Sequence, residues 1–166
     1  MLFSLPSYGL DREVKTSRDV VIANLKVSMV IYHDDATNID FSVADKIYST
    51  VDELERFMQS EGVSEEYCKQ IDLEIFLIPY DTLNNRDTMW FLNWSAWNNA
   101  NILGMYDSKF HSGKRGSIYV AADQGDLIRD RTLAHELVHF WQDITCNRSG
   151  DLEVLAMRFE RHMTSQ

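Results

Sequence analysis

The stretch from Leu127 to Thr145 constrains this chain more than any other. Leu133, Ala134, Leu137, Val138, Phe140, Trp141 and Ile144 recur at helical spacing and cover most of a cylinder. Such a helix must be buried on most sides, yet its middle turn carries His135, Glu136 and His139. Burying two imidazoles and a carboxyl without partners costs several kcal/mol, of order 2–7 for each polar group left unsatisfied. The fold must therefore leave this edge in a cleft or give it a partner that removes the cost. A metal is such a partner. The plainer reading is a chance pattern, with hydrogen-bonded core histidines and a solvent-facing Glu136.

The pattern His135-Glu136-Leu137-Val138-His139 has the H-E-x-x-H spacing. Residues four apart lie one turn above each other, so both imidazoles can reach one metal ion. Glu136 stands about 100° round the helix from His135, beside the metal position, where its carboxylate can take a proton from an attacking water. A catalytic zinc site commonly has three protein ligands, so a third is needed from another segment. Glu153 is the leading candidate: it opens the next helix after a turn at 146–151 that reverses the chain. Ala156 follows it, a small residue that lets two helices approach closely. Glu160, two turns further along the same face, is the rival, and Asp151 and His162 remain open. Alternatively, Glu153 is an ordinary first-turn glutamate favoured by the helix dipole.

Elsewhere the patterning predicts a single domain over residues 1–166, of the α+β class. Residues 20–32 read as one strand, with a short helix before it from Asp11. Val43, Ile47, Val51, Leu54 and Met58 place one apolar face on a helix over 43–59, with Ser42 and Asp45 resembling a capping box. Residues 64–70 read as a short helix capped by Ser64, 73–78 as a buried strand, and 81–87 as a polar loop. The aromatic stretch 89–97 reads as a strand, and Trp90, Phe91, Trp94 and Trp97 as core rather than a ligand platform. Strands over 102–106 and 116–122 are joined by a hairpin loop over 107–115 that leaves His111 exposed. Asp123 or Asp126 caps the helix over 127–145, and a last helix covers 152–163. His33, beside Asp34 and Asp35, reads as a solvated strand end.

Composition excludes some functions. A chain of 166 residues buries roughly 70 % of its unfolded surface and needs no disulfide framework. The net charge of −10, with no basic cluster, disfavours nucleic acid as a partner. No apolar run is long enough to span a bilayer, and residues 1–10 lack the pattern of a secretory signal. Cys68 and Cys146 read as free buried thiols, although one bond between them is possible. The expectation is a cytoplasmic protein with no membrane association. Substrate identity and oligomeric state are left open.

The run Thr132 to Gln142 resembles the active-site helix of zincin metallopeptidases, and Glu153 with Ala156 resembles the gluzincin arrangement, in which a glutamate on the next helix completes the site. Residues 102–106 and 116–120 leading into that helix are similar to a strand pair of SprT-like minimal peptidases, whose third ligand is instead a histidine. The resemblance covers about residues 102–160. It implies a compact zincin-like fold, a mixed β-sheet packed on the H-E-x-x-H helix, with the C-terminal glutamate helix closing the site. It implies zinc held by His135, His139 and Glu153, with Glu136 as general base in peptide-bond hydrolysis of a protein or peptide substrate. It further implies that the strand over 116–122 edges the cleft and pairs with substrate backbone. Tyr106, Tyr119, Arg158 and His162 are the candidates for stabilising an oxyanion. The alternative is a non-enzymatic metal-binding or protein-interaction domain on the same fold. Two histidines and a carboxylate also suit Fe(II).

Overall fold

A computed structural model describes residues 13–33, 37, 40, 42–63, 66–87, 89, 101–108, 115–147 and 152–165. Among these residues the chain is an α+β fold with a five-stranded mixed sheet and four helices. The elements are β1 (Glu13–Ile22), β2 (Leu25–His33), α1 (Ser42–Ser60), β3 (Asp72–Ile78), α2 (Tyr80–Leu83), β4 (Gly104–Asp107), β5 (Arg115–Ala121), α3 (Asp126–Ile144) and α4 (Leu152–Thr164). The sheet order is β1-β2-β3-β5-β4. Its centre, β2-β3-β5, is parallel, and an antiparallel strand closes each edge.

Alternation along the central strands sets the two faces. Leu73, Ile75 and Leu77 of β3 and Ile118 and Val120 of β5 join the large core shared with α1, α3 and α4. The intervening Phe76, Ile78, Tyr119 and Ala121 form a smaller cluster on the opposite face with Leu83, Met89, Ile102 and Met105. There Tyr32, Phe76 and Tyr119 stack in a row at 4.9 Å spacings. The apolar face predicted for α1 is buried as expected. On α3, Leu137, Val138, Phe140, Trp141 and Ile144 are wholly inaccessible. Full burial of each such side chain contributes roughly 1.5–3 kcal/mol, which fixes the helix against the sheet.

Several expectations need correction. Residues 20–32 are not one strand: Ala23 and Asn24 both adopt left-handed backbone, with φ of 51° and 60°, and turn the chain between β1 and β2. Two consecutive positive φ values make a tight hairpin turn, but Ala-Asn lacks the glycine that usually announces one. The helix expected from Asp11 is replaced by β1 from Glu13 onward. Residues 66–70 are not helical, residues 64 and 65 lying outside the described set, and 80–83 form the short α2 within the expected loop. Neither aspartate caps α3: Gly125 occupies the N-cap at φ 93°, and Asp123 accepts the backbone N–H of Tyr80. Of the strand proposed over 89–97 only Met89 is described, buried and not in a strand; residues 90–97 with the tryptophans, most of the 107–115 loop with His111, and Asp151 lie outside the described residues.

The cysteines depart most from expectation. Cys68 and Cys146 form a disulfide, with Cα atoms 5.9 Å apart, and both are exposed. The backbone N–H groups of Cys68 and Lys69 both donate to the Ile144 carbonyl, at 2.7 and 3.1 Å. That pairing sets the 66–71 connection against the end of α3, and Cys146, at φ 51°, turns out of the helix toward it. Sequence spacing carries no sign of a contact between residues separated by 78 positions.

Candidate metal centre

His135, His139 and Glu153 are the three ligands anticipated from the sequence, and the fold brings their donor atoms within 4.8 Å of one another. α3 and α4 pack side by side, with Ala156 and Phe159 fully buried between them and the core, so Glu153 in the first turn of α4 reaches the two imidazoles. His135 Nε2 lies 3.2 Å from His139 Nε2 and 3.1 Å from Glu153 Oε2. His139 Nε2 lies 3.3 Å from Glu153 Oε1. Donors bound at about 2.0–2.1 Å round a tetrahedral ion stand about 3.3 Å apart, a separation that the two Nε2 atoms match and that Glu153 meets with a different oxygen toward each ring.

The protons support the same reading. His139 Nδ1 is 3.1 Å from Gln142 Oε1, an acceptor only, so Nδ1 carries the hydrogen and Nε2 presents a lone pair. His135 has an acceptor on each side, Glu153 Oε2 at 3.1 Å from Nε2 and Glu160 Oε2 at 3.5 Å from Nδ1, so the proton must sit on Nδ1 for Nε2 to bind an ion. Two ring nitrogens and a carboxylate thus converge, an arrangement stabilised either by a proton on His135 Nε2 or by a cation bound among them. Burial lowers the His139 pKa, outweighing the opposing effects of Gln142 and Glu153, and neighbouring His135 lowers it further. The ring is thus kept neutral, the form that binds metals.

Glu136 lies against β4. Its carboxylate accepts the backbone N–H of Tyr106, and the residue is only 8 % exposed. Burial, with a smaller contribution from Glu153, pushes its pKa up to about 8, against the lowering effect of the Tyr106 N–H. Gly104 permits this close crossing of strand over helix. A Cβ there would stand 2.3 Å from Thr132 Cγ2 and 3.3 Å from Glu136 Cγ. Beside the cluster opens a cavity of about 410 Å³, walled by Ile102, Leu103, Ile128 and Thr132, with Arg131 and Glu160 on its margin.

The remaining candidates are placed elsewhere. The Tyr106 hydroxyl donates to Asp143 Oδ2 at 2.8 Å, and burial first, then Asp143, raises its pKa. Tyr119 belongs to the cluster on the opposite face of the sheet from α3. Arg158 pairs with Glu61, and His162 with Glu53 of α1. The strand expected to edge the cleft, β5, is interior, and β4 takes the edge beside α3. Sequence reasoning missed Gln142, Arg131 and Gly104. The first two were legible in principle, at i+3 from His139 and i−4 from His135. Gly104 acts through a contact distant in sequence.

Comparison with protein-family models, curated proteins and solved structures finds no match to this chain.

Proposed function

We propose that this chain is a zinc-dependent metallopeptidase of the zincin type, gluzincin-like in its ligand set, acting on protein or peptide substrates. The observation that carries the reading is the convergence of His135 Nε2 and His139 Nε2, 3.2 Å apart, on the Glu153 carboxylate, whose Oε2 lies 3.1 Å from the first ring and whose Oε1 lies 3.3 Å from the second. Zinc held by these residues supplies Lewis-acid polarisation of a scissile carbonyl. Glu136 is the general base: the charge of an ion held by the three ligands would offset the burial that raises its pKa, and its carboxylate, which lines the same cleft, takes a proton from the attacking water and delivers it to the leaving amine. The Tyr106 N–H orients that carboxylate. β4, antiparallel at the sheet edge, is the strand against which an extended peptide is held by backbone pairing. The adjacent cavity receives a side chain of the substrate.

No helix among the described residues is long and apolar enough to cross a membrane. The exposed Cys68–Cys146 disulfide favours an oxidising compartment as the place of action over the cytoplasm anticipated from the sequence.

The test is peptide cleavage by zinc-loaded wild type and by Glu136→Gln, with zinc content measured in both. The variant is expected to keep its metal and lose about 10²–10⁴-fold in kcat, the usual worth of a general base. Equal cleavage by both proteins would overturn the role of Glu136. A wild type that binds zinc but cleaves no peptide would leave a non-enzymatic metal-binding domain.

A further inference from the structure

We infer that Glu160, clamped by Arg131, is a positioning residue that holds the His135 ring by Nδ1 and so aims its Nε2 at His139 and Glu153. The inference rests on the metal-centre reading above and assigns a role to two residues outside the ligand set.

From sequence alone Glu160 is a rival ligand, since it shares a face of α4 with Glu153. The structure separates their roles. Glu153 meets the Nε2 side of His135, at 3.1 Å, while Glu160 meets the Nδ1 side of the same ring, at 3.5 Å. A carboxylate on Nδ1 lies on the far side of the imidazole from the converging donors and cannot share their ion. The Glu160 carboxylate is held by Arg131 through one oxygen and turns the other toward the ring. Oε1 accepts Arg131 Nε at 2.8 Å and also its Nη2, while Oε2 faces His135. Arg131 stands one helical turn before His135 on α3, so guanidinium, carboxylate and imidazole form a line along the α3–α4 seam.

The arrangement has a physical purpose. A ligating imidazole needs its second nitrogen held by an acceptor, which fixes the tautomer, stops ring rotation and raises the basicity of the ligating nitrogen. Gln142 does this for His139 from within α3. His135 is the more exposed to the cavity, and its acceptor comes from α4. A free glutamate so near the cluster would compete for the cation. The Arg131 fork prevents this by occupying one oxygen and balancing the charge.

The experiment is zinc affinity, by competition with a chromophoric chelator, for wild type, Glu160→Ala, Glu160→Gln and Arg131→Met. Melting of the zinc-free proteins and the absorption spectrum of the cobalt(II)-substituted proteins are recorded alongside. Glu160→Ala is expected to bind zinc about 10–100-fold more weakly, the usual cost of losing an outer acceptor, while its cobalt spectrum keeps the wild-type ligand set. Glu160→Gln, which retains an acceptor oxygen, recovers most of the affinity. Arg131→Met is weakened by about tenfold, at the low end of that range, and carries the test should Glu160→Ala fail to fold. Wild-type affinity in both Glu160→Ala and Arg131→Met would overturn the inference and leave the metal centre standing. Complete loss of zinc in a folded Glu160→Ala, equal to that in His139→Ala, would make Glu160 a ligand and overturn it too. A wild type that takes up no zinc would remove the centre and this inference together, whereas zinc binding without peptidase activity would leave the inference intact.

Discussion

At its C-terminal end α3 is tied to the rest of the molecule by the disulfide of Cys146 just beyond it, two backbone hydrogen bonds to Ile144 and a half-buried polar cluster in which Asp143 joins Lys69 and Tyr106. Its first turn, by contrast, begins at Gly125 with no side-chain cap and leaves Leu127 64 % and Ile128 41 % exposed. The candidate ligands sit between these two regimes. The tethered end fixes His139 and Gln142 against the core, where Phe140 and Trp141 are wholly buried. The open end supplies Ile128, Arg131 and Thr132 to the cavity wall. Segments with few buried contacts open at lower free energy than the core, so substrate accommodation is expected at the start of α3 and metal retention at its end.

The comparison breaks most easily at the disulfide. Closing a loop of 78 residues stabilises the chain by about 4 kcal/mol in the loop-entropy description. The double variant Cys68→Ser, Cys146→Ser is therefore expected to melt roughly 10 °C lower by calorimetry. Wild type treated with a dithiol reductant should match it. An unchanged melting temperature in both would mean that backbone pairing alone holds the end of α3.

Alkaline pH probes the same end with a smaller effect. The Tyr106 phenol has a raised pKa, chiefly from burial and then from Asp143. In the unfolded chain it ionises near pH 10, whereas the folded protein keeps the proton. By linkage the stabilisation is complete below about pH 10 and is lost progressively as pH rises above it. Urea unfolding between pH 8 and 11 should show this decline in wild type and a shallower one in Tyr106→Phe. Parallel slopes would remove Tyr106 from the clamp.

The helical part of this molecule was largely legible in the sequence because its periodicity is local. α1, α3 and α4 lie within a residue or so of their predicted bounds, and the His135, Glu136, His139 and Glu153 grouping follows from spacing on two helices joined by a short turn. What escaped depends on contacts between distant segments. The place of β4 at the sheet edge, the Cys68–Cys146 bond and the approach of Gly104 to Thr132 are all set by tertiary packing. The Ala23-Asn24 turn escaped for a different reason. Two residues without glycine took left-handed backbone because Leu25, Val27 and Met29 must face the same core as Ile22.

At the open end of α3 the expected effect on stability is smallest. Leu127→Ser removes a side chain that is already largely in water and should change unfolding free energy by no more than about 0.5 kcal/mol, while Ile128→Ser, at a side chain more than half covered, should cost about 1 kcal/mol. They differ in what they face: Ile128 lines the cavity beside His135 and Glu136, whereas Leu127 is absent from its lining. If the cavity takes a substrate side chain, Ile128→Ser should raise KM for peptides with a large apolar residue and leave kcat nearly unchanged, the signature of lost uniform binding. Leu127→Ser should alter neither constant. A fall in melting temperature with either variant comparable to that from losing the disulfide would show that the first turn of α3 is held as firmly as its last. The division of the helix into a fixed end for the metal and an open end for the substrate would then fail.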